Sequence, residues 1–345
     1  MKIALDIMGG DNSPLSNIVG SKLFLDTNPN SDTKIIFVGN KLLIEEEIKK
    51  NQIALDYKRI DFLDVNEVVT MSEEKPAQVF KNKPNSSLVK SIQLVKDNVA
   101  DAVISAGNTA ALLSSALFVL GKIDGIKRPA LGTYIPTNKN GFVLCDVGAN
   151  TDIKPMHLVQ FSIMASEYAK HIKNIESPRI GLLNIGAEKN KGNQLTINTF
   201  EILDKNIDGF IGNIEPRYIF DDKADVVVCD GFSGNIIIKL IEGLISHNYN
   251  WLNEIYTPPT HKDTTMSSIE EIFNHYNYEE HGGSPFLGVK GIVLKAHGAS
   301  GEMSIKNSLL SAESLHKNNI IEKIQEDLSS NSNLFLTLEE LAPNR

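Results

Sequence analysis

Glycines, asparagines and hydroxyl residues follow short apolar runs at several places in this chain of 345 residues. Glycine lets a backbone N–H come close to a ligand, and the start of a helix favours an anion. In a parallel sheet these positions share the carboxyl edge, where ligands bind. We therefore predict an anion-binding pocket built from several loops. Its predicted substrate-binding residues are Gly9, Gly10, Asp11, Ser105, Gly107, Asn108, Thr109, Asp146, Gly148, Asn150, Asn184, Gly186, Gly231, Ser233 and Gly234.

Lys295 and His297 alternate at the end of the apolar run Gly291–Gly298, so on an extended strand their side chains face the same side. An ammonium group there can hold an anion, and an imidazole can move a proton. A surface lysine beside a histidine with a structural hydrogen bond is the other interpretation, and it stays open. The residues predicted to be catalytic are Lys295, His297, Asp230 and Asn235.

Two loops of the chain resemble each other: Phe142–Asn150 and Val226–Asn235 both run from an apolar strand through Cys and Asp to a glycine turn and Asn. Their aspartates either orient hydrogen-bond donors or cap helices, and both interpretations stay open. Cys145 and Cys229 lie inside the predicted strands, which favours buried structural thiols over nucleophiles.

Composition and spacing argue against several kinds of site. A formal net charge of −9 argues against a nucleic-acid partner. The 8 histidines and the carboxylates show no convincing metal-ligand spacing, so no metal is predicted. Neither G-x-G-x-x-G nor G-x-x-x-x-G-K-[ST] occurs, and no cofactor is predicted.

The elements that must position these residues read as short apolar strands alternating with amphipathic helices. This pattern predicts an α/β fold with three layers, α/β/α, around a mostly parallel sheet. The predicted strands are Lys2–Ile7, Lys34–Gly39, Asp101–Gly107, Gly141–Gly148, Arg179–Gly186, Phe210–Ile214, Asp225–Gly231 and Gly291–Gly298. The predicted helices include Leu42–Lys50, His157–Ile172 and Ser304–Leu328. The longest apolar stretch, Ala110–Leu120, is too short to span a bilayer, and a cytoplasmic location is predicted.

One segment, Ser246–Pro285, breaks the alternation and holds the single tryptophan of the chain. We predict that residues 1–245 and 286–345 form one α/β/α domain and that 246–285 form a projecting arm for dimer or membrane contact. An excursion that packs its aromatic side chains back on the core is the alternative.

The chain resembles the phosphate acyltransferase (PlsX) family over nearly its whole length. The segments that carry the resemblance include DIMGGDNSP, SAGNTAALL, CDVGANTDIKPMHL, ADVVVCDGFSGN and GVKGIVLKAHGASGEMSIKN. Single loops of this kind are weak signals, but their order and combination are highly specific.

The resemblance implies transfer of a long acyl chain from acyl carrier protein to inorganic phosphate, which gives acyl phosphate for phospholipid synthesis. It also implies a fold similar to isocitrate and isopropylmalate dehydrogenases, a homodimer, and a membrane glycerol-3-phosphate acyltransferase (PlsY) as a possible partner. Such an enzyme would be cytoplasmic or peripheral at the inner face of the membrane. Phosphate is already a competent nucleophile, so the task is to position it, which suits glycine loops and Lys295.

The chain departs from the family pattern in two places. Lys81 and Lys83 remain as carrier-protein docking residues, but Phe80, Asn82 and Pro84 dilute the basic stretch there. The arm has one lysine and several acidic residues, which weakens its attraction to anionic lipid.

Three other functions are alternatives to the one that the resemblance implies. A coenzyme A-dependent phosphotransacylase would use a short acyl group at the same kind of pocket. A dehydrogenase of the related fold would need an arginine cluster, and the arginines here are scattered. A non-catalytic scaffold would recruit acyl carrier protein to the membrane without releasing its acyl group.

Overall fold

The computed structural model describes residues 1–256, 276 and 282–340. They fall into two compact units. The first unit comprises Met1–Pro129 and His281–Glu326, and the second comprises Ala130–Glu280 and Asp327–Arg345.

Strands and helices alternate along most of the described chain. The strands are β1 (Lys2–Asp6), β2 (Lys34–Gly39), β3 (Ile60–Asp64), β4 (Ala102–Ser105), β5 (Ala130–Ile135), β6 (Phe142–Cys145), β7 (Ile180–Leu183), β8 (Phe210–Ile214), β9 (Val226–Val228), β10 (Ser284–Leu287) and β11 (Ile292–Lys295). The helices are α1 (Leu15–Thr27), α2 (Lys41–Lys50), α3 (Val79–Asn82), α4 (Ser87–Lys96), α5 (Thr109–Val119), α6 (Pro155–Lys173), α7 (Gln194–Asn206), α8 (Gly231–Tyr256), α9 (Glu302–Lys317), α10 (Ile320–Ser330) and α11 (Ser332–Glu340).

Each unit has a mostly parallel sheet. The first unit orders its strands β3-β2-β1-β4-β11-β10, with β10 antiparallel to β11. The second unit orders its strands β5-β6-β9-β7-β8, with β5 antiparallel to β6. The central strands β1, β4, β6 and β9 are buried nearly throughout, as continuous apolar runs predict. The α/β fold with a mostly parallel sheet is confirmed.

Every predicted strand segment contains a strand, but β3, β5 and β10 were not predicted. β3 has aspartates at its second and last positions and is only partly buried, and β10 is short and contains a proline. β5 lies next to a strand that runs the opposite way, so it does not fit a repeating strand–helix pattern. The predicted helix Ser304–Leu328 is two helices, α9 and α10. They separate at Asn318 and at Asn319, which has a φ of 51°.

The predicted arm lies mostly outside the described residues. Its first part, 246–256, continues α8 without a break, whereas 257–275 and 277–281 are not described. The boundaries of the domain and of the arm stay a prediction. Within the described part of the chain, no helix is both long and apolar enough to cross a membrane.

An ion cluster fixes the start of β9, at the edge of the second sheet away from its loop-bearing end. The Asp225 carboxylate accepts hydrogen bonds from Arg179 Nε at 2.9 Å and from Arg179 backbone N at 2.9 Å, and it pairs with Lys173. Burial by itself would raise the pKa of Asp225, but these cationic partners outweigh it and lower that pKa to about 2.

We predict that Asp225→Asn lowers the free energy of unfolding at neutral pH by about 2 kcal/mol, because it leaves Lys173 buried without its counter-charge. A depressed pKa stabilises the fold above the ordinary value of 3.8, and that stabilisation is lost as the pH falls through about 2. Urea unfolding across this range should show the two proteins converging at acid pH. Asp221→Asn, which removes only an exposed partner of Lys223, is the control and should change little. A constant difference at every pH would contradict the prediction.

Candidate active site

Three neighbouring strands of the first unit end in one polar row. Asp6 pairs in register with Ser105, and Ser105 pairs with Lys295, each being the last residue of its strand. All three are buried. Ser105 Oγ donates to Asp6 Oδ2 at 2.6 Å and accepts from Gly107 N at 3.0 Å. Burial raises the pKa of Asp6, against the opposing effects of the Ser105 hydrogen bond and the Lys295 charge.

The glycine loops above this row pack too closely for side chains. A Cβ on Gly9 would come within 2.7 Å of Asp6 Oδ2 and 2.8 Å of Gly107 N. Gly10 has a φ of 102°, and a Cβ there would lie 2.9 Å from Ala106 Cβ. The two predicted loops therefore contact each other through bare backbone. The N–H of Gly9 donates to Asp6 O at 3.2 Å and that of Gly107 to Ser105 Oγ, so both groups fix the loops themselves.

A third loop joins them. Asp11 N donates to Gly298 O at 2.8 Å, and Asn12 Nδ2 donates to Ala299 O at 3.1 Å. Asn108 caps α5 by accepting from Ala111 N, with Thr109 as the first residue of that helix. The structure thus brings together Gly9, Gly10, Asp11, Ser105, Gly107 and Gly298 in the first unit.

Lys295 and His297 both lie at the end of β11, but they differ in exposure. Lys295 is buried, and its Nζ donates to the carbonyl oxygens of Ala106, at 3.3 Å, and of Ala296. His297 is exposed, and its Nδ1 accepts from Ala299 N at 3.3 Å. The neutral imidazole therefore carries its proton on Nε2.

In the second unit, Asp146 organises its own loop. Its Oδ1 accepts from the backbone N–H of Leu131, Gly148 and Ala149, and its Oδ2 accepts from Asn150 N at 2.7 Å and Asn150 Nδ2 at 2.9 Å. Burial raises the pKa of this carboxyl, and these hydrogen bonds oppose the rise. Of the two interpretations left open by the sequence, Asp146 orients backbone donors.

The start of α8 packs directly on that loop. Gly231 N donates to Asn150 O at 2.7 Å, and a Cβ on Gly231 would lie 2.6 Å from the same oxygen. A Cβ on Gly234 would come within 1.9 Å of Asp146 O. Gly148 has a φ of 136° and lies against the Asn235 side chain. The loops 146–150 and 230–235 are thus brought together, as the sequence predicts.

Asp230 caps α8. Its Oδ1 accepts from Ser233 N at 2.9 Å, and its Oδ2 accepts from Ser233 Oγ at 2.8 Å. Asp230, Ser233 and Asn184 line a pocket of about 540 Å³. Gly186 lies away from that pocket, where a Cβ would meet Glu188 and Lys191 of its own loop.

The two thiols are buried structural groups. Burial raises the pKa of Cys145 and of Cys229 well above the ordinary value, and Cys229 Sγ lies 3.4 Å from Asp146 O. A thiol with a raised pKa is a poor nucleophile. Among the described residues, no group of three or more His, Cys, Asp or Glu could hold a metal ion.

The two residues predicted to dock a carrier protein differ. Lys81 is exposed, whereas Lys83 pairs with Glu73 at 2.7 Å. The charge of Lys83 is therefore largely neutralised within the first unit.

Sequence reasoning missed Asp6 and the apolar wall of the 540 Å³ pocket. A carboxylate inside an otherwise apolar strand was the available signal for Asp6, because such a group is buried only with partners. The pocket wall had no local signal, since its side chains come from α6, β7, α7 and α8.

Comparison with known proteins identifies relatives over almost the whole chain. Residues 1–323 match the model of a family described as fatty acid synthesis protein. A phosphate acyltransferase of Clostridium perfringens (strain SM101) is 40% identical over 337 residues, covering 96% of this chain and 98% of its own. A phosphate acyltransferase of Clostridium kluyveri is 42% identical over 330 residues, covering 94% and 97%.

Solved structures with the same fold include phosphotransacylases. The EutD phosphotransacetylase from Staphylococcus aureus matches with a TM-score of 0.59 at 13% identity, over 92% of this chain and 94% of its own. A branched-chain phosphotransacylase from Enterococcus faecalis matches with a TM-score of 0.57 at 15% identity, over 92% and 99%. At these identities the likeness shows the fold.

Proposed function

Because this chain belongs to the phosphate acyltransferase family, we propose that it transfers a long-chain acyl group from acyl carrier protein to inorganic phosphate, giving acyl phosphate for phospholipid synthesis. The observation that carries the proposal is the backbone of the strand-end loops. In the first unit, Gly9 packs without room for a Cβ against Asp6 and Gly107, directly over the Asp6–Ser105 hydrogen bond. Backbone without side chains lets an anion come close to these strand ends, where it can be held near an electrophile.

In the proposed reaction a phosphate oxygen attacks the thioester carbonyl carbon. The new C–O bond forms first and gives a tetrahedral intermediate. The C–S bond breaks when this intermediate collapses, and the released sulfur takes up a proton. The buried thiols at 145 and 229 support direct attack by phosphate over an acyl-enzyme intermediate on cysteine. The oxyanion of the tetrahedral intermediate would be stabilised by backbone N–H groups or by Asn235.

His297 is the proposed donor to the leaving sulfur. Its Nδ1 accepts from the backbone, so the neutral ring can donate a hydrogen bond through Nε2–H to the developing thiolate, which takes its proton from solvent. Lys295 supplies positive charge beneath the loops. Its contacts with two carbonyl oxygens hold the ammonium group in place, beside the carboxylate of Asp6.

The purified protein should be incubated with phosphate and either palmitoyl carrier protein or acetyl coenzyme A, and acyl phosphate should be trapped as the hydroxamate. We expect product from the palmitoyl carrier protein. Product from acetyl coenzyme A alone would identify a phosphotransacylase instead, and binding of the carrier protein without acyl release would identify a scaffold.

We predict that Lys295→Ala raises the KM for phosphate about tenfold and that His297→Ala lowers kcat about tenfold. The first change removes charge from the phosphate site, and the second removes the hydrogen-bond donor to the leaving sulfur. Lys290→Ala is the matched control, because Lys290 is an exposed lysine of the same segment that pairs with Asp124. Steady-state kinetics with varied phosphate would exclude both roles if the three variants behaved alike.

We also propose that the protein is a homodimer joined through one face of α8. Large apolar side chains recur along this helix with exposed fractions of 47% to 61%. They are Phe232, Ile236, Leu240, Leu244, Trp251 and Ile255. A helix of this length extends about 39 Å, so this apolar face is long. The acidic character of residues 246–285 favours a second copy of the chain over anionic lipid as the partner.

We predict that Leu240→Glu combined with Leu244→Glu converts a dimer to a monomer that still folds, because both side chains are exposed in a single chain. Light scattering after size exclusion would measure the mass. Lys239→Glu, at an exposed neighbouring position, should leave the dimer intact. A wild-type monomer, or a dimer that survives the double substitution, would contradict the proposal.

Lys81 is the proposed docking residue for the acyl carrier protein. Exposed Lys81 lies next to Phe80, whose ring stacks on that of Phe118 at 3.8 Å between centroids. A cation beside an exposed aromatic surface suits an acidic carrier protein.

We propose a cytoplasmic enzyme, peripheral at the inner face of the membrane, that passes acyl phosphate to a membrane glycerol-3-phosphate acyltransferase.

A further inference from the structure

The pocket in the second unit has an apolar wall to which the proposed reaction assigns no role. Its volume is about 540 Å³, within the range of small-molecule sites. Leu158, Leu182 and Leu183 line it and are buried, while Ile185 and Ile236 line it and are exposed. The lining therefore grades from a buried apolar part to an open one, which suits a long ligand that enters from solvent.

The polar side chains of the pocket are satisfied within their own loops. Asp230 accepts both hydrogen bonds that Ser233 donates. Asn184 Nδ2 donates to Lys191 O at 3.0 Å, and its Oδ1 accepts from Ile185 N at 2.8 Å. With these groups occupied, the surface that the pocket offers to a ligand is mainly hydrocarbon, and burial of apolar surface is what it can contribute.

Predicted site residues lie at the same pocket. Asp230 and Ser233 form the first turn of α8, which packs on the loop 146–150 through Gly231 and Gly234. A chain held along the apolar wall therefore has its polar end near the start of α8, the positive end of the helix dipole.

From this arrangement we infer that the pocket bounded by α6, β7, α7 and the start of α8 binds the hydrocarbon chain of the acyl donor and sets its preferred length. The inference rests on the proposed function, since it assigns to this pocket of the second unit the hydrocarbon chain of the proposed acyl donor. The half-buried Leu195, on the first turn of α7, is a position from which the room for the chain can be reduced.

The test is Leu195→Trp, with Ile197→Trp as the matched control. Ile197 is a half-buried apolar residue of the same helix that does not line the pocket. We expect Leu195→Trp to lower kcat/KM for the palmitoyl carrier protein about tenfold. The kcat/KM for the octanoyl carrier protein should stay within about twofold of the wild type, because only the longer chain extends into the volume that the tryptophan fills. Ile197→Trp should leave the ratio of the two substrates unchanged. Equal melting temperatures would show that both variants fold.

Palmitate binding, measured by calorimetry below its micelle concentration, gives a second readout that needs no turnover. We expect Leu195→Trp to weaken it about tenfold relative to Ile197→Trp. If the wild type is active but neither readout separates the two variants, the pocket assignment is wrong and the proposed function stands. If the wild type makes no acyl phosphate yet only Leu195→Trp loses palmitate, the proposed function is wrong and the hydrocarbon site stands.

Discussion

Gly234→Ala is expected to destabilise the protein by about 4 kcal/mol, at the severe end of single substitutions. Gly234 lies in the first turn of α8, and a Cβ there would come within 1.9 Å of Asp146 O and 3.0 Å of Cys229 Sγ. The first of these is a backbone atom, which cannot rotate away. The helix start must therefore move off the loop that it packs against, or the loop must rearrange.

The same helix offers the control. A Cβ on Gly243 would meet nothing within 4 Å, so Gly243→Ala should instead stabilise the protein by about 0.5 to 1 kcal/mol through helix propensity. Urea unfolding of both variants measures the contrast. Equal unfolding free energies for the two would refute the close packing of α8 on loop 146–150. We also expect Gly234→Ala to lose acyl phosphate formation, because the displaced turn carries Asp230 and Ser233.

Asp146→Asn is expected to lower the free energy of unfolding by about 3 kcal/mol, the second large effect. The carboxylate accepts five hydrogen bonds, four of them from backbone N–H groups. An asparagine keeps one acceptor oxygen, and its NH₂ group would face donors of Asn150. Buried donors would then lose their partners, and the loop would not keep its shape.

Asp152→Asn is the matched control, because Asp152 is exposed shortly after the same loop. We expect it to leave stability and turnover unchanged. Asp146→Asn should lower kcat/KM for the acyl carrier protein at least tenfold, on the order of the loss of a preorganised donor. A variant that unfolds like the wild type would show that the loop does not depend on this carboxylate.

Much of the architecture could be predicted from local patterns. The inner strands of each sheet are largely buried, so most of their residues are apolar, as in the run IIFV of β2. Helix α6 begins at Pro155, two residues before the predicted start at His157, because proline suits the first position of a helix. Elements without such burial were missed: the partly buried β3 has no continuous apolar run, and α9 and α10 are divided by a local Asn-Asn turn.

The site was predictable only in its outline. The sequence by itself determined that glycines and polar residues follow the strands, because a parallel sheet must turn at those points and glycine permits close backbone contact. It did not distinguish Asp146 from Asp230, although their local sequences are similar. One gathers the N–H groups of a loop, and the other caps a helix.

Only the tertiary structure decided those roles, because the partners come from distant parts of the chain. Lys295 contacts a carbonyl oxygen at Ala106, and Asp6 meets Ser105 across neighbouring strands. The apolar pocket depends on leucines that share no sequence pattern, and they are brought together by the packing of helices on the second sheet. Local spacing determines which residues reach the edge of a sheet, whereas strand register and helix packing determine what each residue contacts there.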